Sequence, residues 1–128
     1  MKAVPDSLRT WFIIHFVVDM FVGIPLLLFP ELVMPLLGWT AIDPIASRVV
    51  GAALMGIGLE SYLGRHASIE VFRAMLNLKV IWSSSAVLGI GLGIWNGGSP
   101  AGWLLLGFFF IFWIVWVRYW HLLKKGNP

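Results

Sequence analysis

Apolar residues fill four long stretches of the chain, and short groups of glycine, proline and small polar residues separate them. A bilayer core of about 30 Å needs roughly 20 mostly apolar residues per helix. The four stretches run from about Leu8 to Phe29, from Pro44 to Leu63, from Ile69 to Trp95 and from Pro100 to Leu123. This pattern predicts four transmembrane helices.

Capping and turn residues mark the ends of these stretches. Asp43-Pro44 and Ser99-Pro100 each place an N-cap residue before a proline at the first helical position. Other boundary signals are Ser68 as an N-cap, the turn Asn96-Gly97-Gly98, and Gly126 after the last helix.

The segment after the first stretch is rich in proline. Pro25 removes a backbone hydrogen bond inside the first helix and should kink it. Pro30 can begin a short helix that ends at Gly38. This piece is too short to cross a bilayer and too apolar for water, so we expect it along the interface, anchored by Trp39.

Composition supports a membrane environment. Of 128 residues, 59% are hydrophobic and 12% charged, so a soluble domain could not cover its apolar surface. The mean hydropathy is +0.89. We predict an all-α integral membrane four-helix bundle in one domain, residues 1–128, with a short interfacial helix between the first two spans. The chain has no cysteine, which excludes disulfides and thiolate chemistry.

Basic residues predict the orientation. The second-to-third loop region and both termini carry most of the Lys and Arg, whereas the other loops hold only Arg48 beside Glu31 and Asp43. The positive-inside rule therefore places both termini in the cytoplasm of a plasma (inner) membrane. The basic residues used are Lys2, Arg9, Arg65, Arg73, Arg118, Lys124 and Lys125.

The first half of the chain resembles small four-helix membrane proteins of the DoxX-like and DUF4345 type. The shared features are a G-x-P-L-L-x-x-P run, an LGW-like turn, Asp-Pro, and an arginine before a Gly/Ala-rich helix. In this chain they correspond to Gly23, Pro25, Pro30, Leu37-Gly38-Trp39, Asp43-Pro44, Arg48 and Gly51-Ala52-Ala53. The resemblance implies a four-helix membrane fold and transfers no functional residue.

Small residues four positions apart indicate where membrane helices approach closely. One such stripe, on the second span, is Arg48, Ala52, Gly56 and Glu60; another, on the third, is Asn77, Ile81, Ser85, Gly89 and Gly93. We expect these stripes to be the tight packing faces of their helices and to lie against each other, which would make the second and third spans the tight core pair. On the fourth span, Trp116, Tyr119 and Trp120 are expected in the interfacial aromatic belt, and the deeper phenylalanines are expected to face lipid.

Ionisable residues within the apolar stretches are the candidate site. Asp19 lies about 11 residues into the first helix, close to the midplane at 1.5 Å per residue. His15 is four residues earlier and shares its face, and Lys79 lies at a comparable depth in the third helix. We predict that Asp19 pairs with Lys79, since an isolated buried charge is costly. Glu60, Asn77 and Arg73 would join His15 around this pair.

Several functions fit such a polar pocket in the cytoplasmic half. Binding or transport of a small molecule or ion is favoured. The alternatives are a non-catalytic accessory or scaffold protein, whose charges only orient helices, and a membrane enzyme or carrier acting on a lipid or quinone. A serine triad, a metal site and a haem site each lack a supporting motif, so we predict no catalytic residue, metal or cofactor. The lipid bilayer is the expected partner, nucleic acid is not, and homo-oligomerisation stays open.

Overall fold

The computed structural model describes residues 3–125, which form five α-helices and contain no strand. The predicted all-α fold is therefore confirmed. The predictions that used Lys2 and Gly126 lie outside the described residues. The helices are α1 (Asp6–Leu28), α2 (Pro30–Leu36), α3 (Pro44–Leu63), α4 (Ile69–Trp95) and α5 (Gly102–Lys125).

Three of these helices, α1, α4 and α5, are long and apolar enough to cross a membrane. The chain thus has the helices of a multi-pass membrane protein. The 20-residue helix α3 has the length of a span, but it contains Arg48 and Glu60, which lower its hydropathy, and it is not among the three.

Local signals in the sequence explain some of the helix boundaries. Ser68 precedes α4 without a side-chain cap hydrogen bond, and α5 begins at Gly102, two residues after the predicted Pro100. The Asp43 carboxylate accepts hydrogen bonds from the backbone N–H groups of Ile45 and Ala46, at 2.9 and 3.1 Å, and so caps α3. The short helix predicted after Pro30 is confirmed as α2. Beyond it, Gly38 adopts a φ of 91°, a left-handed conformation that suits glycine.

The chain divides into two compact units, which are described separately. The first comprises residues 4–67, with α1, α2 and α3; the second contains α4 and α5, from Ser68 onward, together with Ala3. The single-domain prediction stays a prediction.

In the first unit, α1 packs closely against α3 through glycine. A Cβ added at Gly51 would lie 2.7 Å from the backbone nitrogen of Leu27, and one at Gly23 would lie 3.1 Å from the Gly51 carbonyl oxygen. The two backbones therefore meet almost directly, as small residues allow in membrane helices. The buried residues of α3 are Ser47, Gly51, Leu54, Gly58 and Ser61.

The packing face of α3 differs from the predicted stripe. Its buried positions repeat at alternating intervals of four and three residues. This spacing is close to the helical period, so the buried residues stay on one face of α3. The predicted stripe used intervals of four only, which drift around the helix. Its members Ala52, Gly56 and Glu60 are exposed, and a Cβ at Gly56 would meet nothing within 4 Å. The prediction that this stripe is the tight face of α3 is wrong.

In the second unit, α4 and α5 form an antiparallel pair. Pairs of residues in contact run from Arg73 with Leu123, near the start of α4, to Trp82 with Phe109, farther along it. The buried residues of α4 are Phe72, Met75, Leu76, Lys79 and Ser83, and those of α5 are Gly102, Phe112, Trp116, Tyr119 and Leu123. The α4 stripe predicted from Asn77 to Gly93 is exposed instead.

The aromatic residues of α5 also depart from expectation. Trp116 is 0% exposed and Tyr119 7%, so their placement in an interfacial belt is wrong. Phe112 is buried as well and stacks on Trp116, whereas Phe110 is exposed, as expected for a residue that faces lipid. The face of α5 that carries Phe112, Trp116 and Tyr119 belongs to the core because large aromatic rings bury the most apolar area.

Candidate functional site

The predicted site residues fall into three settings. His15 and Asp19 lie together on α1 in the first unit. Arg73, Asn77 and Lys79 lie on α4 in the second unit. Glu60 is exposed on α3. The Asp19–Lys79 pairing and the role of Glu60 stay predictions.

The buried side chains of His15 and Asp19 are in contact with each other on one face of α1. The His15 Nε2 atom lies 3.3 Å from Asp19 Oδ2, and the two side chains are 5% and 2% exposed. The spacing of four residues places them one above the other on one helix face. An imidazole nitrogen at this distance from a carboxylate oxygen partly offsets the cost of burying the two groups in an apolar setting.

A glycine on α3 makes room for the Asp19 side chain. A Cβ added at Gly58 would lie 2.5 Å from Asp19 Cβ and 3.1 Å from its Oδ2 atom. The carboxylate thus packs directly on the backbone of α3. One turn further along α3, the buried hydroxyl of Ser61 donates to the Ile57 carbonyl at 2.8 Å, a bond within its own helix.

Lys79 has a different environment in the second unit. The residue is 2% exposed, and its Nζ atom lies 4.7 Å from the centre of the Trp116 ring. A cation over an indole face gains about 2 kcal/mol where water is excluded. Ser83 donates a hydrogen bond to the Lys79 carbonyl at 2.7 Å, which again lies within one helix.

The other two α4 residues line an open groove. It has a volume of about 560 Å³ and lies where α4 begins and α5 ends. We call it the α4–α5 groove, and its lining residues are Arg73, Leu76, Asn77, Trp120, Leu123 and Lys124. Its size is within the usual range for small-molecule sites. Neither this groove nor the second described cavity, about 270 Å³ beside Ser84 and Trp113, is lined by His15 or Asp19.

Arg73 is held in the groove by the end of α5. Its Nη2 atom donates to the carbonyl of Leu123 at 3.0 Å, which satisfies one of the carbonyl groups that a helix leaves free at its C-terminus. Its Nε atom is buried and has no hydrogen-bond partner among residues 3–125. The guanidinium therefore retains unused donor capacity at this position.

Two further contacts shape the groove. The Trp120 Nε1 atom donates to Asn77 Oδ1 at 2.6 Å, which leaves the amide N–H groups of Asn77 as donors. Lys124 Nζ lies 4.6 Å from the centre of the Trp120 ring. The groove thus presents two cations, an amide and an indole face.

The sequence did not identify Trp120 or Lys124 as site residues. Trp120 was assigned to the interfacial belt and Lys124 only to orientation. The signal that could have found them is the antiparallel pairing of consecutive helices, which brings the last turn of α5 to the first turns of α4.

Other arginines have structural roles at helix ends. Arg48 donates from Nε to the Leu27 carbonyl at 3.1 Å, and its Nη1 atom lies 3.8 Å from Glu31. Arg9 donates to the carbonyl of Arg65 just beyond α3. The Arg48 bond satisfies a carbonyl group that the end of α1 leaves free, as the Arg73 bond does for α5.

Metal binding gains no support in the described part of the chain, where no three His, Asp or Glu side chains come together to hold an ion. Comparison with family models, with curated proteins and with solved structures finds no match to this chain.

Proposed function

We propose that this chain is a four-span membrane protein that binds a small anionic molecule at the α4–α5 groove. The fourth span would be α3, because its 20 residues rise about 30 Å and so match a bilayer core. With four spans, both ends of the chain lie on one side of the membrane. The positive-inside rule favours the cytoplasm of the plasma membrane for that side.

The observation that carries the binding proposal is the groove itself. Two of the predicted site residues, Arg73 and Asn77, line a cavity of about 560 Å³ together with Lys124 and Trp120. Arginine and lysine donate hydrogen bonds and accept none, and both carry positive charge. The ligand that complements this set carries phosphate or carboxylate oxygens.

The second candidate is an accessory or scaffold protein, and the His15–Asp19 contact favours it. The two groups touch at 3.3 Å and are almost fully buried, so this pair is suited to fixing the rotation of α1 against α3. A structural role for this pair is compatible with ligand binding elsewhere. Transport and enzyme action rest on the sequence hypotheses alone.

A thermal-shift screen in neutral detergent tests the binding proposal. The probes are soluble phosphates, soluble carboxylates and anionic phospholipids. At least one class should raise the unfolding temperature of the wild type. The double variant R73Q/K124Q should lose that shift, whereas R118Q/K125Q, with the same net charge, should keep it. The result against the proposal is equal protection of both variants, or no protection of the wild type by any class.

A further inference from the structure

Resting on the proposed anion-binding function, we infer that the ligand of the α4–α5 groove is the phosphate headgroup of an anionic phospholipid. The inference names the ligand class and its source, the bilayer itself.

The charges of the groove match a phosphodiester. Arg73 and Lys124 bring two positive charges to the lining of the groove. A phosphate has several acceptor oxygens and can take hydrogen bonds from a guanidinium and an ammonium together. Glu70, three residues before Arg73, does not line the groove, but its carboxylate interacts electrostatically with Arg73 and balances part of that charge.

The groove also lies at a position along α4 and α5 that suits the binding of a lipid headgroup. Arg73 and Asn77 belong to the first turns of α4, which begins at Ile69, and Lys124 belongs to the last turn of α5. Both helices are long and apolar enough to span a membrane, so their shared end lies near the headgroup layer. Basic pockets between transmembrane helices at this level are typical sites for anionic headgroups.

The surroundings offer a place for acyl chains. Leu76 and Leu123 line the groove beside the charged residues, so its wall is partly apolar. Trp120 lines the groove with its indole N–H bonded to Asn77, and an indole with one polar and one apolar side suits the lipid–water interface. A molecule with a charged head and apolar tails therefore fits better than a wholly polar anion.

The test titrates the full-length protein in neutral detergent with phosphatidylglycerol, phosphatidylcholine or glycerol 3-phosphate, and follows the unfolding temperature. Phosphatidylglycerol should stabilise the wild type, and the other two should not. K124Q should weaken apparent phosphatidylglycerol affinity by roughly fivefold, since each basic residue adds about 1 kcal/mol at an anionic surface. K125Q, which changes the neighbouring exposed residue, should bind like the wild type.

The outcomes separate this inference from the proposed function. Equal stabilisation by phosphatidylcholine, or equal weakening by K124Q and K125Q, overturns the lipid inference. Stabilisation by glycerol 3-phosphate without phosphatidylglycerol also overturns it and leaves an anion site for soluble ligands. Loss of every anion effect contradicts both. Because R73Q also removes the bond to Leu123 and could impair folding, K124Q against K125Q decides the matter.

Discussion

The two helix pairs of this protein accommodate buried charge in different ways. In the first unit, α1 and α3 meet through glycines, and the His15–Asp19 contact is closed and packed on Gly58. In the second unit, α4 and α5 meet through aromatic rings, and Lys79 lies against Trp116. The His15–Asp19 contact packs against the backbone of α3, whereas one end of α4 and α5 carries a groove lined by Trp120 and two cations.

This difference indicates which polar residues are suited to binding. Burying a polar pair costs desolvation free energy, and the main effect of such a pair is to fix the orientation of its helices. A cationic groove that is open can admit a partner without first losing an internal contact. We therefore propose an orienting role for His15 and Asp19, and a ligand-binding role for Arg73 and Lys124.

The largest expected effect comes from breaking the buried charges. Asp19→Asn should destabilise the protein in detergent by about 3–5 kcal/mol, the usual result of leaving a buried polar partner alone, and Lys79→Met should do the same if Lys79 is the partner of Asp19 that the sequence predicts. Chemical unfolding of the two single variants measures these losses.

The double variant then decides whether Asp19 and Lys79 compensate each other's charge or whether each depends on contacts within its own unit. If Asp19 and Lys79 form the pair predicted from the sequence, the double variant should recover much of the loss. Strictly additive losses would mean that each charge depends on its own unit, through His15 in one and Trp116 in the other.

Next in size is the effect of filling the glycine contact. Gly51→Ala should destabilise the protein by about 1–3 kcal/mol, because its Cβ would meet the backbone of Leu27 and backbone cannot move aside. Gly56→Ala is the matched control on the exposed face and should be neutral or stabilise by up to about 1 kcal/mol. Similar unfolding temperatures for the two variants would refute the close α1–α3 packing.

Most of the helices could be predicted from the sequence, but the helix faces that pack together could not. Apolar length and capping residues such as Asp43 predict helix boundaries well, since both signals are local. The helix faces in contact could not be read from a stripe of small residues, because Gly51 and Gly58 are buried while Gly56 is exposed. Any glycine permits close packing, but only the position of the neighbouring helix determines which glycines are in contact.

The candidate site was predicted in part for a similar reason. Arg73 and Asn77 were found because polar residues in an apolar helix are conspicuous. Trp120 and Lys124 were missed, since tryptophan and lysine at a helix end are typical of any membrane interface. Their contribution depends on the pairing of α5 with α4, which single residues do not reveal.

A smaller effect should follow from removing the cation–π contact of the second unit. A double-mutant cycle of Lys79→Met and Trp116→Leu should give a coupling energy of about 2 kcal/mol, the value for a desolvated pair. Equilibrium unfolding of the four proteins supplies the cycle. Coupling near zero would show that Lys79 is held by something other than the indole ring.

The smallest effect concerns the hydrogen bond in the groove. Trp120→Phe removes the donor to Asn77 and should cost about 0.5–1.5 kcal/mol. Trp103→Phe is the control, because Trp103 is 64% exposed on the same helix. Equal losses in the two variants would indicate that the Trp120 bond adds nothing to stability.

The most direct test of the account is fluorine NMR of the protein labelled with 5-fluorotryptophan, with Trp120 and Trp103 assigned through their phenylalanine variants. Trp120 lines the groove near the end of α5, and Trp103 lies at the start of the same helix. Addition of phosphatidylglycerol should shift the Trp120 resonance more than that of Trp103, and K124Q should reduce the Trp120 shift. An unmoved Trp120 resonance, or a Trp103 resonance that moves as far, would contradict a ligand site in the α4–α5 groove.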